Sequence, residues 1–224
     1  MAANCVIFDI GGVLMDFDTR GLTAAFTETE ADAALLHREV FEHIDWIAMD
    51  RGGSEAASLK RMKERLPQRL HAPADQVIAH WDEYLIPNPE MNEIARELDG
   101  MGVPLYLLSN TPDRFYRFRE RIPAWPLMRW ALLSFEEHLL KPDLEIYRRL
   151  FSRFGLSPGD CFFVDDSQAN IEAARWCGMK GCLYRGDAGE VRVALRQAGI
   201  SIAAGREQAA GQIAGAGRSE KLYQ

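Results

Sequence analysis

The sequence is poor in the residues that mark a disulfide-stapled, zinc-bound or membrane-embedded protein. Only four cysteines, Cys5, Cys161, Cys177 and Cys182, occur among 224 residues, and no two form a C-x-x-C pair. They predict buried free thiols in a reducing compartment. The five histidines are scattered, with no H-x-x-x-H pair, so core or surface roles account for them. No segment approaches the ~20 apolar residues of a membrane helix. The apolar opening, Cys5 to Leu14, is broken by Asp9 and lacks a basic flank, so no secretory signal is expected. Positive charge is short too: 26 Lys and Arg against 33 Asp and Glu leave a net charge of -7. That balance argues against nucleic acid, which is bound mainly through surplus cations. The expectation is a cytoplasmic protein with no nucleic-acid or membrane partner. Any anionic ligand must then be held by a metal ion or a placed lysine.

What is present is an ordinary globular composition, 47% hydrophobic and 26% charged. Three apolar runs lack polar alternation and read as buried parallel strands: Cys5 to Phe8, Val103 to Leu108, and Cys161 to Val164. Each ends in polar residues, Asp9, then Ser109-Asn110-Thr111, then Asp165-Asp166-Ser167. Gly181 to Tyr184 is a fourth candidate. Helical spacing appears over Pro89 to Leu98 with Gly100 as the stop, Asp143 to Phe154 ending at Gly155, and Asn170 to Cys177 ending at Gly178. Strand alternating with helix predicts an α/β fold, a Rossmann-like doubly wound parallel sheet whose polar tips share one crevice. Helix formers instead fill Leu22 to His43 and Ser54 to Arg69, with breaks at Gly52-Gly53, Pro67 and Pro73. The expected organisation is a catalytic core of residues 1–17 and 87–202, a helical cap of 18–86, and a mobile tail of 203–224.

Each strand tip has a chemical reading and a plain structural one. Asp9 before Gly11-Gly12 suits a carboxylate nucleophile approached closely by a ligand, or a turn-forming Asp. Ser109-Asn110 suits hydrogen bonding to phosphoryl oxygens, or a helix N-cap. Lys141 suits charge neutralisation, or a surface lysine before the helix-starting Pro142. Asp165-Asp166 is the strongest local signal, because adjacent carboxylates after Phe162-Phe163-Val164 repel unless a cation joins them. Hard oxygen donors of this kind suit Mg²⁺.

Taken in order, these segments resemble the four motifs of the haloacid dehalogenase-like hydrolases. They read Val6-Ile7-Phe8-Asp9-Ile10-Gly11-Gly12-Val13-Leu14, Leu107-Leu108-Ser109-Asn110, Lys141-Pro142, and Phe163-Val164-Asp165-Asp166-Ser167-Gln168-Ala169-Asn170. Within the superfamily they look most like the branch of bacterial sugar-1-phosphate phosphatases and the epoxide hydrolase N-terminal phosphatase domain. The resemblance implies a Mg²⁺-dependent phosphatase of small phosphorylated metabolites, sugar phosphates among them. Asp9 is then nucleophile and metal ligand, Ser109 and the Asn110 N–H contact phosphate, and Lys141 neutralises charge. Asp166, Asp165 and the Gly11 carbonyl join the metal shell, Gly12 borders the substrate, and Asn170 orients Lys141 or the metal loop.

One departure matters. The family's phosphatases carry a second Asp two residues after the nucleophile, as general acid and base, and here that position is Gly11. Losing such help costs ~10²–10⁴-fold in rate, unless Asp16 or Asp18 stands in. Gly11 also fits a 2-haloacid dehalogenase, or a weakened family member that only binds a partner. Among other signals, Arg114 to Arg119 predicts an amphipathic helix with a solvated basic face. Trp46, Met49, Asp50 and Arg51 fall where a cap loop would face the crevice, with packing inside the cap as the simpler account. Neither the substrate nor the oligomeric state is written in the sequence.

Overall fold

The protein is described here as a computed structural model covering residues 3–203. Its strands are β1 (Cys5–Phe8), β2 (Met15–Phe17), β3 (Leu85–Pro87), β4 (Leu105–Ser109), β5 (Met128–Leu133), β6 (Cys161–Asp165) and β7 (Lys180–Leu183). Its helices are α1 (Thr19–Ala25), α2 (Glu30–Phe41), α3 (Ile44–Asp50), α4 (Glu55–Arg65), α5 (His71–His80), α6 (Pro89–Gly100), α7 (Phe115–Phe118), α8 (Ser134–Glu137), α9 (Leu144–Phe154), α10 (Gln168–Trp176) and α11 (Ala188–Gln197). Five strands form one parallel sheet in the order β5-β4-β1-β6-β7.

The unbroken apolar character of the central strands follows from helices on both faces. Val6, Phe8, Leu107 and Val164 pack with Ile94 and Leu98 of α6 and Val191 and Leu195 of α11. Ile7, Leu108 and Phe163 point the other way, onto Tyr147 and Leu150 of α9 and Ile171 of α10. Alternate residues of one strand thus enter two cores, and each fully buried Phe or Ile contributes roughly 1.5–3 kcal/mol. The sheet's centre is therefore rigid where β1, β4 and β6 end side by side.

The helical ends show what local chemistry decides. Asp143 caps α9 by accepting from Glu145 N at 3.0 Å, and Gly155 closes it at φ +64°. α6 runs through Gly100, the expected stop. The left-handed residue that ends it is Gly102 (φ +77°), whose N–H reaches Asp99 O. The segment from Leu22 to His43 is divided, because Thr29 starts a new helix by accepting from Asp32 N at 3.1 Å. Likewise α4 stops at Arg65, just before Pro67.

Between β1 and β4 the chain leaves through β2 and returns through β3, which pair antiparallel. Five α-helices lie between those two strands, α1 to α5. β5 was not anticipated: it is an edge strand that exposes Arg129 and Trp130, and Arg129 leaves only the short apolar run Trp130 to Leu133. All four cysteines are free. Cys5 and Cys161 are buried as expected, but Cys177, at the end of α10, and Cys182, on edge strand β7, are only half-buried. The expected tail lies, beyond Ala203, outside the described residues. Among the described residues no helix is long and apolar enough to cross a membrane.

Candidate active site

Asp9 is the first residue past β1, held in place as its Oδ1 accepts from Ile10 N at 2.7 Å. The ammonium of Lys141 stands 2.9 Å from that oxygen and 2.7 Å from Asp165 Oδ2. Lys141 is buried, and Asp165 is inaccessible at the end of β6. Both Asp165 oxygens are engaged: Ser167 N donates to Oδ1 at 2.8 Å, and Asn170 Nδ2 donates to Oδ1 and Oδ2 at 2.9 and 3.1 Å. Asn170 thus orients Asp165 rather than Lys141, and Tyr147 OH fixes it by donating to its carbonyl at 2.9 Å. Asp166, next in sequence, is exposed and has no salt-bridge partner among the described residues.

Oxygens of Asp9, Asp165 and Asp166 all lie within 4.8 Å of one another. Three carboxylates therefore face one buried ammonium, which already serves two of them. An all-oxygen donor set with surplus negative charge fits a hard divalent cation. The proton affinities carry the same message. Burial, opposed by Lys141 and reinforced by the charges of Asp165 and Asp166, pushes the Asp9 carboxyl up to about 7. Asp166, open to solvent on one side only, is also raised, by partial desolvation and the Asp165 charge. Burial works against the Lys141 ammonium, but Asp9 and Asp165 outweigh it and hold the lysine above its ordinary value. A cation would complete what the lysine begins.

The two glycines after Asp9 are different. Gly12 adopts φ +68°, and a Cβ there would collide with the Asp166 carboxylate and push it aside. At Gly11 a Cβ would meet nothing within 4 Å. The first is required by close packing, while the second leaves open space.

Ser109, the last residue of β4, is almost wholly buried and lines the crevice. Asn110 does more than offer a backbone N–H. Its Nδ2 donates to Lys141 O at 2.9 Å, and Lys141 N donates to its Oδ1 at 2.8 Å. This reciprocal pair holds the lysine loop against the β4 tip, a role the sequence did not reveal. Ser134, likewise missed, accepts from Thr111 N at 2.9 Å and donates to the Asp50 carbonyl at 2.5 Å. A signal did exist: Trp130-Ala131-Leu132-Leu133-Ser134 repeats the apolar-then-serine form of the β4 tip.

Above these tips lies a crevice of about 670 Å³. Its floor includes Gly11, Gly12, Ser109, Asn110 and Asp166; its roof includes Phe17, Trp46, Asp50, Trp81 and Phe118. The aromatic rings pack on one another, with Trp46 and Trp81 centroids 5.3 Å apart and Phe17 within 6.2 Å of both. The Trp81 indole N–H finds no acceptor among the described residues. Met49 is buried in the core, in line with packing, whereas Asp50 faces the crevice. Burial and the charge of Asp9, partly offset by Lys141, push the Asp50 carboxyl up to about 8.

Arg114 to Arg119 is not a solvated basic helix throughout. Arg114 is largely buried and clamps the helical insertion, 2.6 Å from Glu55 and 3.0 Å from Asp82. Phe115 and Phe118 are buried beside it, and Arg117 and Arg119 keep the exposed face. Asp18 caps α1 by accepting from Gly21 N at 2.8 Å, and Asp16 is exposed on β2.

Comparison with known proteins agrees with this geometry. The model of the haloacid dehalogenase-like hydrolases matches residues 3–178. The sesquiterpene phosphatase astK of Aspergillus oryzae is 29% identical over 198 residues, covering 87% of this chain and 95% of that protein. A flavin mononucleotide hydrolase of Arabidopsis thaliana is 25% identical over 112 residues, 50% of this chain and 45% of that one. A HAD family enzyme of Bacteroides thetaiotaomicron, solved with magnesium and inorganic phosphate, superposes with a TM-score of 0.63 at 19% identity over 83% of this chain and 96% of that one. That likeness speaks for the fold. With four motifs converging at the strand tips and a family match across most of its length, the chain belongs to the haloacid dehalogenase-like hydrolases.

Proposed function

We propose that this hydrolase is a Mg²⁺-dependent phosphatase of small phosphomonoesters that works through an aspartyl-phosphate on Asp9. Residues 1–17 and 87–202 form its catalytic core, and residues 18–86 act as a cap. The reading rests on one observation above all: three carboxylates within 4.8 Å, with Lys141 bridging two of them. Asp9, Asp166 and, less freely, Asp165 would hold Mg²⁺, with the Gly11 carbonyl as a further candidate. The ion would supply charge neutralisation and polarise a phosphoryl oxygen. Lys141 keeps the Asp9 carboxylate aimed and lowers its repulsion toward an incoming phosphate. Ser109 and the Asn110 N–H would hydrogen-bond the remaining phosphoryl oxygens as charge builds there. Asp9 attacks phosphorus, the ester oxygen departs, and water later cleaves the acyl phosphate.

The roof speaks to the organic half of the substrate. The rings of Phe17, Trp46 and Trp81 offer a sugar's hydroxyls few hydrogen-bond partners, and those present, Asp16, Asp18 and Asp50 among them, lie around the rings rather than on them. An apolar chain or ring system buries well there. This favours an apolar organic monophosphate over the sugar phosphates, in keeping with the name of the Aspergillus relative. The dehalogenase alternative is weaker, since the Asp165-Asp166 pair would repel a haloacid carboxylate without a cation to offset it. The test is phosphate release from a panel of alkyl, prenyl and sugar monophosphates with Mg²⁺. Hydrolysis that survives excess chelator, or chloride release from chloroacetate without metal, would overturn the reading.

A further inference from the structure

The reaction leaves one task unassigned, a proton for the departing ester oxygen. Gly11 cannot supply it, and the space beside Gly11 is open. A carboxyl does enter the crevice from the opposite wall, at Asp50, the last residue of α3. Its side chain makes no hydrogen bond or ion pair with any described residue. Its backbone, by contrast, is pinned. Ser134 Oγ ties the Asp50 carbonyl to Thr111 N, next to Ser109 and Asn110. His138 Nδ1 lies 3.0 Å from Arg51 O. Gly52, at φ +89°, sits so close to the core that a Cβ would meet Phe135 O at 2.6 Å. The turn is thus hydrogen-bonded to Ser134 and His138 at two successive residues and packed against Phe135 at the third, and the free carboxyl is left at the crevice.

We propose that Asp50 is the general acid, and then the general base, of this phosphatase, acting from the helical insertion in place of the carboxylate missing at Gly11. The inference rests on the phosphatase reading above. In the first half, an Asp9 oxygen bonds to phosphorus, the P–O ester bond breaks with its electron pair on the ester oxygen, and the Asp50 proton passes to that oxygen, releasing an alcohol. In the second half, Asp50 carboxylate takes a proton from water as the water oxygen bonds to phosphorus. The P–O bond to Asp9 breaks with its pair on Asp9, phosphate leaves, and Asp50 is protonated again. Burial, which favours the neutral carboxyl, suits the first step at neutral pH. Asp16 and Asp18 border the same crevice, but Asp18 is engaged as a helix cap and Asp16 stands in solvent on β2.

The test compares two esters that differ in leaving group, decyl phosphate and p-nitrophenyl phosphate, on wild type, Asp50→Asn, Asp50→Glu and Asp50→Asn with Gly11→Asp. An aryl oxygen departs without a proton, whereas an alkyl oxygen needs one. Asp50→Asn is expected to lower kcat/KM for decyl phosphate by ~10²–10⁴-fold and leave that for p-nitrophenyl phosphate within about tenfold. The same variant should release nitrophenolate in a burst and accumulate phosphorylated Asp9, since the base for the second half is gone. Asp50→Glu should retain part of the alkyl activity. Adding Gly11→Asp, for which the backbone has room, should restore part of it. Equal losses on both esters, or none, would assign Asp50 to binding or structure and overturn the proposal while the phosphatase stands. A wild type inert on both esters with Mg²⁺ would overturn the phosphatase reading, and this inference with it.

Discussion

The floor and the roof of the crevice are built on opposite chemistry. The floor is a set of charged and hydroxyl groups at the ends of β1, β4 and β6, each fixed by a strand whose side chains are inaccessible to water. The roof is a cluster of aromatic rings from β2 and the helices that follow it, with the half-buried Asp50 of α3 among them. Rigid polar tips suit bond chemistry, which is sensitive to small displacements. An apolar roof suits choice among organic groups, where each contact is worth little and shape decides. The division teaches that substitutions on the two walls should fail in different ways.

Four measurements would break or sharpen that contrast. The largest effect is expected from Asp9→Asn, which removes the nucleophile and should cut phosphate release on the order of 10⁴-fold or more. Its melting temperature without metal should hold or rise, because an ionised Asp9 is disfavoured where it is buried. Next comes Gly12→Ala, whose Cβ displaces Asp166. Mg²⁺ affinity by calorimetry should drop by roughly 10–100-fold, the usual cost of disturbing a ligand's setting. On the roof, Trp46→Ala should lower kcat/KM for an apolar monophosphate by about 10–100-fold and leave acetyl phosphate little changed. Equal losses on both would erase the distinction between walls.

The smallest effect is in pH. Asp9 with its proton is a poor ligand, and its carboxyl is held up to about 7 in the cation-free protein. Mg²⁺ binding therefore displaces a proton below that pH, and affinity should fall by about tenfold per unit as pH drops, levelling above it. A flat profile from acid to neutral would mean that Asp9 is not in the metal shell.

Much of the floor was legible because the relevant signals are local. Apolar runs that end in Asp9, Ser109 and Asp165 give both strand and tip, and Asp143 and Gly155 bracket α9 by ordinary capping chemistry. β5 was partly legible in the apolar run Trp130 to Leu133, but Arg129 interrupts the strand and its first half is exposed at the sheet edge. The paired strands β2 and β3 are too short to show a period. Arg114 looked like part of a solvated face because its partners, Glu55 and Asp82, lie far back in the chain.

The amino-acid sequence alone determined the sheet's central strands, the order of the four motifs and the helical content of the insertion, because each is set by neighbours within a turn or a strand. Only the tertiary structure decided that Lys141 bridges Asp9 and Asp165, that Ser134 reaches Asp50 across 84 residues, and that a ring of aromatics roofs the site. Such contacts form when long loops close, and their energy comes from burial and paired charge in a shared space that no local window of residues contains.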